Sequence, residues 1–145
     1  MNILVIHGPN LHLLGRRAPE IYGKATLAAL NADIKKHAAY LGVKVRIFQS
    51  NSEGEIIDLL TAHAPWADAL VINPAAYTHY SYAIRDAIEA LDLPAIEVHL
   101  TDIAKREPFR RVSVIAPVCL AQLKGEGPRS YFKALDYCLS LAAEK

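Results

Sequence analysis

The apolar positions of this 145-residue chain alternate between unbroken runs and spacings of three and four. Residues 3–6 are all apolar and three of the four are β-branched, which predicts a strand buried on both faces. Leu27, Leu30, Ile34, Ala38 and Leu41 recur at helical spacing across residues 24–41, an amphipathic helix closed by Gly42. Val43, Val45 and Ile47 alternate with Lys44 and Arg46, so residues 43–48 form a strand with one less-buried face, near a sheet edge. Ser52 can cap a helix carrying Ile56, Leu59 and Leu60, with Glu53 and Glu55 at its positive end. The short apolar run at residues 69–72 reads as a strand buried on both faces, residues 95–98 and 112–115 as further strands, and residues 81–91 as a helix. Residues 129–143 close the chain as a helix with Tyr131, Leu135, Cys138 and Ala142 on one stripe.

Five strands alternating with helices, without repeats or linkers, predict an α/β fold over residues 1–145 as a single domain. Right-handed crossovers place helices on both faces of a parallel sheet, and the flavodoxin-like order for five strands is 2-1-3-4-5. Such a sheet binds ligands beyond the carboxyl ends of strands one, three and four. The sequence meets that demand. Strand one runs out into Gly8-Pro9-Asn10, strand three into Asn73 and the segment through His79, and strand four into Glu97-Val98-His99-Leu100-Thr101. The connection from Gly8 to Gly23 is long for a strand-to-helix loop, usually ~2–6 residues, and carries Arg16, Arg17 and Tyr22. The opposite rim, at residues 41–42 and 91–94, holds ordinary turn residues.

Each polar residue also has an ordinary structural use. His99 could be a core histidine satisfied by a carbonyl, His79 a neighbour of a helix cap, and Asn73-Pro74 and Pro9-Asn10 turn chemistry. Arg17 and Arg110-Arg111 could be solvated cations and Tyr22 a packed ring. His37 and His63 are assigned to the solvent side of their helices, and the histidines share no metal-ligand spacing. What favours chemistry is that these residues meet at one rim.

Charge and composition narrow the class. Sixteen basic against 15 acidic residues give a net charge of +1, so no basic field invites nucleic acid or an anionic membrane. No apolar run approaches the ~20 residues of a membrane span, and the start of the chain goes directly into strand without a basic leader. Cys119 and Cys138 lie in or beside apolar segments without CxxC spacing, as reduced thiols of a cytoplasmic protein do.

At these residues the sequence resembles the type II 3-dehydroquinate dehydratases. HGPNLHLLGRRAPEIYG resembles the family's GPNLNLLGxREPxxYG, QSNSEGE its second-strand exit, and NPAAYTHYSYAIRDA its NPGAYTHTSxALRDA. IEVHLTD resembles IEVHLSN and REPFR resembles REEFR, so the likeness spans the chain in order. It implies anti elimination of water from 3-dehydroquinate through an enolate to give 3-dehydroshikimate, in the shikimate pathway, with no metal and no organic cofactor. It also implies a homododecamer built as a tetramer of trimers. Carried over by position, Tyr22 is the base, Arg17 in the same lid (about residues 16–23) lowers its pKa, and Asn10 positions a water at the enolate oxygen. His99, oriented by Glu97, is the acid. Asn73, His79, Leu100, Thr101 and Arg110 match substrate-binding positions, and Asp86 the acidic residue that reaches a neighbouring subunit's site. The chain departs from the pattern at His12, Ala18, Ala75, Tyr80, Tyr82, Thr101, Asp102, Ala121 and Ser130, and no named catalytic group is lost.

Two other readings compete. A non-catalytic flavodoxin-like binding or receiver module would need an acidic cluster after strand one or a phosphate cradle, and the sequence has neither, since Pro9 removes a donor from Gly8-Pro9-Asn10. A dehydratase of another cyclic polyhydroxy ketone would use the same residue types.

Overall fold

The computed structural model describes residues 1–16, 18–22 and 24–144, with Tyr22 described by its backbone alone. Five parallel strands, β1 (Asn2–His7), β2 (Lys44–Gln49), β3 (Ala69–Asn73), β4 (Ala95–Val98) and β5 (Ala121–Leu123), line up in the order β2-β1-β3-β4-β5. Helices α2 (Leu27–Leu41) and α5 (Arg129–Ala143) cover one face, while α3 (Glu53–His63) and α4 (Tyr82–Leu91) cover the other. The alternation of a strand's side chains divides the core accordingly. Ile3, Val5, Ala69, Val71, Ile96 and Val98 pack under α2 and α5, and Leu4, Ile6, Leu70, Ile72 and Ala95 under α3 and α4.

The helix boundaries follow from side-chain caps. Thr26 accepts a hydrogen bond from the Ala29 N–H, so α2 begins at Leu27, later than periodicity alone suggests, and Gly42 ends it in the left-handed conformation. Ser52 and Ser81 cap α3 and α4 in the same way, through the N–H groups of Glu55 and Ile84. Along α5, Tyr131, Leu135 and Cys138 are buried, whereas Ala142 in the last turn is exposed. The long connection after β1 contains a 3₁₀ turn at Leu11–Leu13 and a single helical turn, α1 (Pro19–Tyr22).

One expected element is corrected. The β-branched run at residues 112–115 is not a strand; the fifth strand is Ala121–Leu123, whose register pairs Ile96 with Ala121 and Val98 with Leu123. Val112 is exposed, and Ser113 directs its hydroxyl to a buried carboxylate while accepting the N–H groups of Ile115 and Ala116, which bends the backbone. Propensity yields here to side-chain hydrogen bonding.

The exits of β1 and β3 are pressed together. The Gly8 N–H donates to the Asn73 carbonyl at 2.7 Å, and a Cβ at Gly8 would lie 2.5 Å from the Pro74 carbonyl oxygen, so only glycine allows this approach. Just beyond, Ala75 holds φ at +51°, a left-handed conformation that costs an L-residue about 1–2 kcal/mol. Glycine removes that strain but adds about 0.5–1 kcal/mol of chain entropy to the cost of folding. The substitution Ala75→Gly is therefore expected to stabilise the chain by about 0.5–1 kcal/mol, read as a higher urea midpoint with an unchanged m-value.

Candidate active site

A cavity opens beyond the carboxyl ends of β1, β3 and β4. Its lining includes Asn10, Asn73, His79, His99, Leu100, Thr101 and Arg110, together with Arg106 and an apolar wall of Leu11, Leu14 and Ile103. Six residues picked from the strand exits, and Arg110 picked from the family resemblance, thus converge in space. Glu97 lies beneath them, fully buried, and reaches the cavity through His99. Asp86 sits on the exposed side of α4, outside this lining. Arg17 and the Tyr22 side chain lie outside the described residues.

Glu97 and His99 are two residues apart at the end of β4, and alternation along the chain turns both to the same side. The His99 Nε2 lies 2.8 Å from Glu97 Oε1, and among the described residues Nδ1 makes no hydrogen bond. Ser113 Oγ donates to both carboxylate oxygens at 2.8 and 2.9 Å, Gln122 Nε2 donates to Oε2 at 3.1 Å, and the Thr78 hydroxyl donates to Oε1. Burial alone would raise the Glu97 pKa, but the hydrogen bond and charge of His99 and the hydroxyls of Thr78 and Ser113 outweigh it and hold the carboxyl below its ordinary value. The contact with Glu97 also fixes the orientation of the His99 ring, so that its Nδ1 side faces the cavity.

Three other residues of the lining are held by their neighbours. His79 Nδ1 donates to the Val112 carbonyl at 2.7 Å, which turns its Nε2 into an acceptor, and its ring meets Phe109 edge-on. Arg110 donates to the Glu107 carboxylate through Nε and lies over the Phe109 ring, with the guanidinium carbon 4.6 Å from the centroid. Asn10 occupies the left-handed region at φ 69°, which asparagine tolerates well, and its N–H is received by Asn51 Oδ1 at 3.0 Å. Asn51 is itself held by Gln49 Nε2 and by the Tyr77 hydroxyl.

The "Dehydroquinase class II" family model matches residues 1–139 of this chain. The chain belongs to that family. Among curated relatives, a 3-dehydroquinate dehydratase of Pelotomaculum thermopropionicum is 52% identical over 142 residues, covering 98% of this chain and 99% of the relative. A protein of the same name from Desulfitobacterium hafniense is 51% identical over 143 residues, covering 99% of this chain and 98% of that one. The crystal structure of a type II dehydroquinase from Butyrivibrio crossotus superposes with a TM-score of 0.93 at 44% identity, covering 95% of this chain and 97% of that one.

Within this class II dehydroquinase chain, the residues that sequence reasoning missed are mostly supports. Thr78, Ser113 and Gln122 come from three separate segments, and only their shared acceptor links them. His37 and His63 are half-buried rather than free in solvent: His37 pairs with Asp136 at 2.8 Å and stacks on Phe132, and His63 stacks on Phe48. Cys119 and Cys138 are both free thiols, and burial pushes each up to about 12. Among the described residues no group of three His, Cys, Asp or Glu side chains converges as a metal site, and no helix is long and apolar enough to cross a membrane.

The most unusual of the missed residues is His7, fully buried at the end of β1 and hydrogen-bonded to Tyr131 and Asn31. Burial lowers its pKa to about 4 from an ordinary 6.5, against the hydrogen bond to Asn31 that raises it. The unfolded chain then takes up a proton more readily than the folded one. The stability from a neutral His7 is complete above pH 6.5 and is lost as the pH falls toward 4. Between pH 7 and 5 that loss amounts to about 2 kcal/mol. Urea unfolding at both pH values should show it in the wild-type chain and much less of it in His7→Asn; equal losses in the two would contradict the assignment.

Proposed function

We propose that this class II dehydroquinase chain is a hydro-lyase of the shikimate pathway that removes water from 3-dehydroquinate to give 3-dehydroshikimate. The observation that carries the reading is His99: one nitrogen is held by the buried Glu97 carboxylate, and the ring lines a cavity with Asn10, Asn73, His79, Thr101 and Arg110. An acid so held, facing donors and acceptors suited to a polyhydroxylated ring, is what expulsion of a hydroxyl requires.

In this reading the Tyr22 phenolate takes the C2 proton, and the electron pair moves onto the C3 ketone oxygen as an enolate. A free phenol has a pKa of ~10, so an adjacent cation is needed to supply phenolate near neutrality, and Arg17 stays charged throughout that range. A water held by Asn10 supports the enolate oxygen. The enolate then re-forms the C3 carbonyl and makes the C1–C2 double bond as the C1–oxygen bond breaks on the face opposite to proton removal. The C1 hydroxyl takes a proton from His99 and leaves as water, after which Tyr22 and His99 exchange protons with solvent. The substrate carboxylate suits the N–H groups and hydroxyl at Leu100-Thr101, and Arg110 and His79 suit its hydroxyls. Closure of residues 16–23 over the cavity excludes water from the intermediate. These roles rest on the resemblance of residues 7–23 and 73–110 to the family pattern. No metal or organic cofactor takes part.

Residues 1–145 act as one catalytic domain, assembled as a homododecamer of trimers in the cytoplasm, with Asp86 serving the site of a neighbouring copy. Supporting the assembly, Tyr80, Phe109 and Val112 are exposed apolar residues gathered around His79 at the cavity's edge, and Tyr82 is exposed at the start of α4 near Asp86.

Mixing the purified protein with 3-dehydroquinate should produce the enone absorbance of dehydroshikimate, undiminished by a chelator or by borohydride. Tyr22→Phe and Arg17→Ala should each lower kcat by about 10²–10⁴-fold while leaving the unfolding transition in place. Wild-type activity in either variant would remove the assignment of the base; no enone from the wild-type chain would remove the reaction.

A further inference from the structure

On the α2/α5 face of the sheet, opposite Glu97, a second polar chain leads to the cavity. His7 and Asn73 are register partners on β1 and β3, and alternation turns both toward α2 and α5. Tyr131 of α5 is fully buried against them, with its hydroxyl 3.0 Å from His7 Nδ1 and 3.0 Å from Asn73 Nδ2. His7 Nε2 lies 2.7 Å from Asn31 Oδ1 on α2.

The direction of every bond in this chain follows from one group that cannot reverse. The backbone N–H of Ala75 can only donate, and it donates to Asn73 Oδ1 at 3.0 Å. Asn73 must therefore present Nδ2 to Tyr131, whose oxygen accepts. The phenolic proton then has one acceptor within reach, His7 Nδ1, so the His7 proton resides on Nε2 and Asn31 offers its oxygen. No member is left over: among the described residues no buried side-chain nitrogen or oxygen lacks a partner. A reversed Asn73 amide would set an N–H against the Ala75 N–H, which can only donate. Asn73 Nδ2 carries two hydrogens, one spent on Tyr131, and the other is the side chain's remaining donor for the cavity it lines.

We propose that Tyr131 and His7 are positioning residues that hold Asn73 in the polarity the Ala75 N–H sets, so that the site offers an amide N–H, and not a carbonyl oxygen, to an acceptor oxygen of the substrate. The inference rests on the proposed dehydration and deepens it. It assigns to two buried residues, remote from the reacting bonds, a share of substrate binding. A group that acts through a ground-state contact changes KM more than kcat.

The test is steady-state kinetics with 3-dehydroquinate on Tyr131→Phe, His7→Leu and His7→Asn. In Tyr131→Phe and His7→Leu, KM should rise about tenfold with kcat within about threefold of wild type. In His7→Asn, the amide oxygen takes the place of Nδ1 as acceptor, and KM should stay within about twofold. Adding Tyr131→Phe to Asn73→Ala should raise KM no further. Should Tyr131→Phe fail to fold, the two His7 variants decide. A loss of thermal stability in Tyr131→Phe or His7→Leu with KM unmoved, a KM in His7→Asn as poor as in His7→Leu, or an effect of Tyr131→Phe that adds in full to Asn73→Ala would each overturn the inference. Absence of turnover in the wild-type chain would overturn the dehydration itself, and this inference with it.

Discussion

A carboxylate with no exposure to solvent organises the site end of this fold. Removing such a group from water costs several kcal/mol even after relaxation, and the charge is tolerable only where its oxygens are met by donors. Glu97 finds them in Thr78 after β3, Ser113 in the bent segment, Gln122 on β5 and His99 beyond β4. Hydrogen bonds to a charged acceptor contribute roughly 1.5–3 kcal/mol each, so these four donors together offset a cost of several kcal/mol. That requirement ties four stretches of chain to one point. It also accounts for the course of residues 112–116, where Ser113 is held inward and Val112 is left outside.

The two sides of the sheet use polar groups in different ways. On the α3/α4 side the buried group is anionic and its partners are donors. On the α2/α5 side His7 is neutral, and each member donates to the next in one direction. Both arrangements end in a side chain at the cavity, His99 in one case and Asn73 in the other. The strand's alternation sends Glu97 to one side and His7 to the other, and the close approach of Gly8 to Pro74 keeps the exits of β1 and β3 near enough to share a ligand.

Much of this was legible in the chain itself. The sheet order follows from alternating apolar periods and crossover handedness, and the cavity's position follows from the polar residues that end strands one, three and four. The fifth strand was hidden because Ala121–Leu123 is only three residues long, while the longer β-branched run before it is claimed by the Glu97 carboxylate. The supports were hidden for a different reason. Thr78, Ser113 and Gln122 are ordinary polar residues until the fold places a charge between them, and His7 lies just past the apolar run of residues 3–6, although it closes the strand and pairs with a tyrosine more than a hundred residues away. A hydrogen-bond partner distant in sequence leaves no local periodicity to read.

In the proposed dehydration, the ionised, buried Glu97 orients His99 toward the departing hydroxyl. Glu97→Gln tests it most directly, since the amide keeps the volume and one accepting oxygen but removes the charge. The turnover of 3-dehydroquinate by this variant, measured alongside its urea unfolding, is predicted to show kcat reduced by about 10²–10⁴-fold, KM changed little, and a cooperative transition retained. A folded Glu97→Gln chain with kcat within a few-fold of wild type would contradict the account.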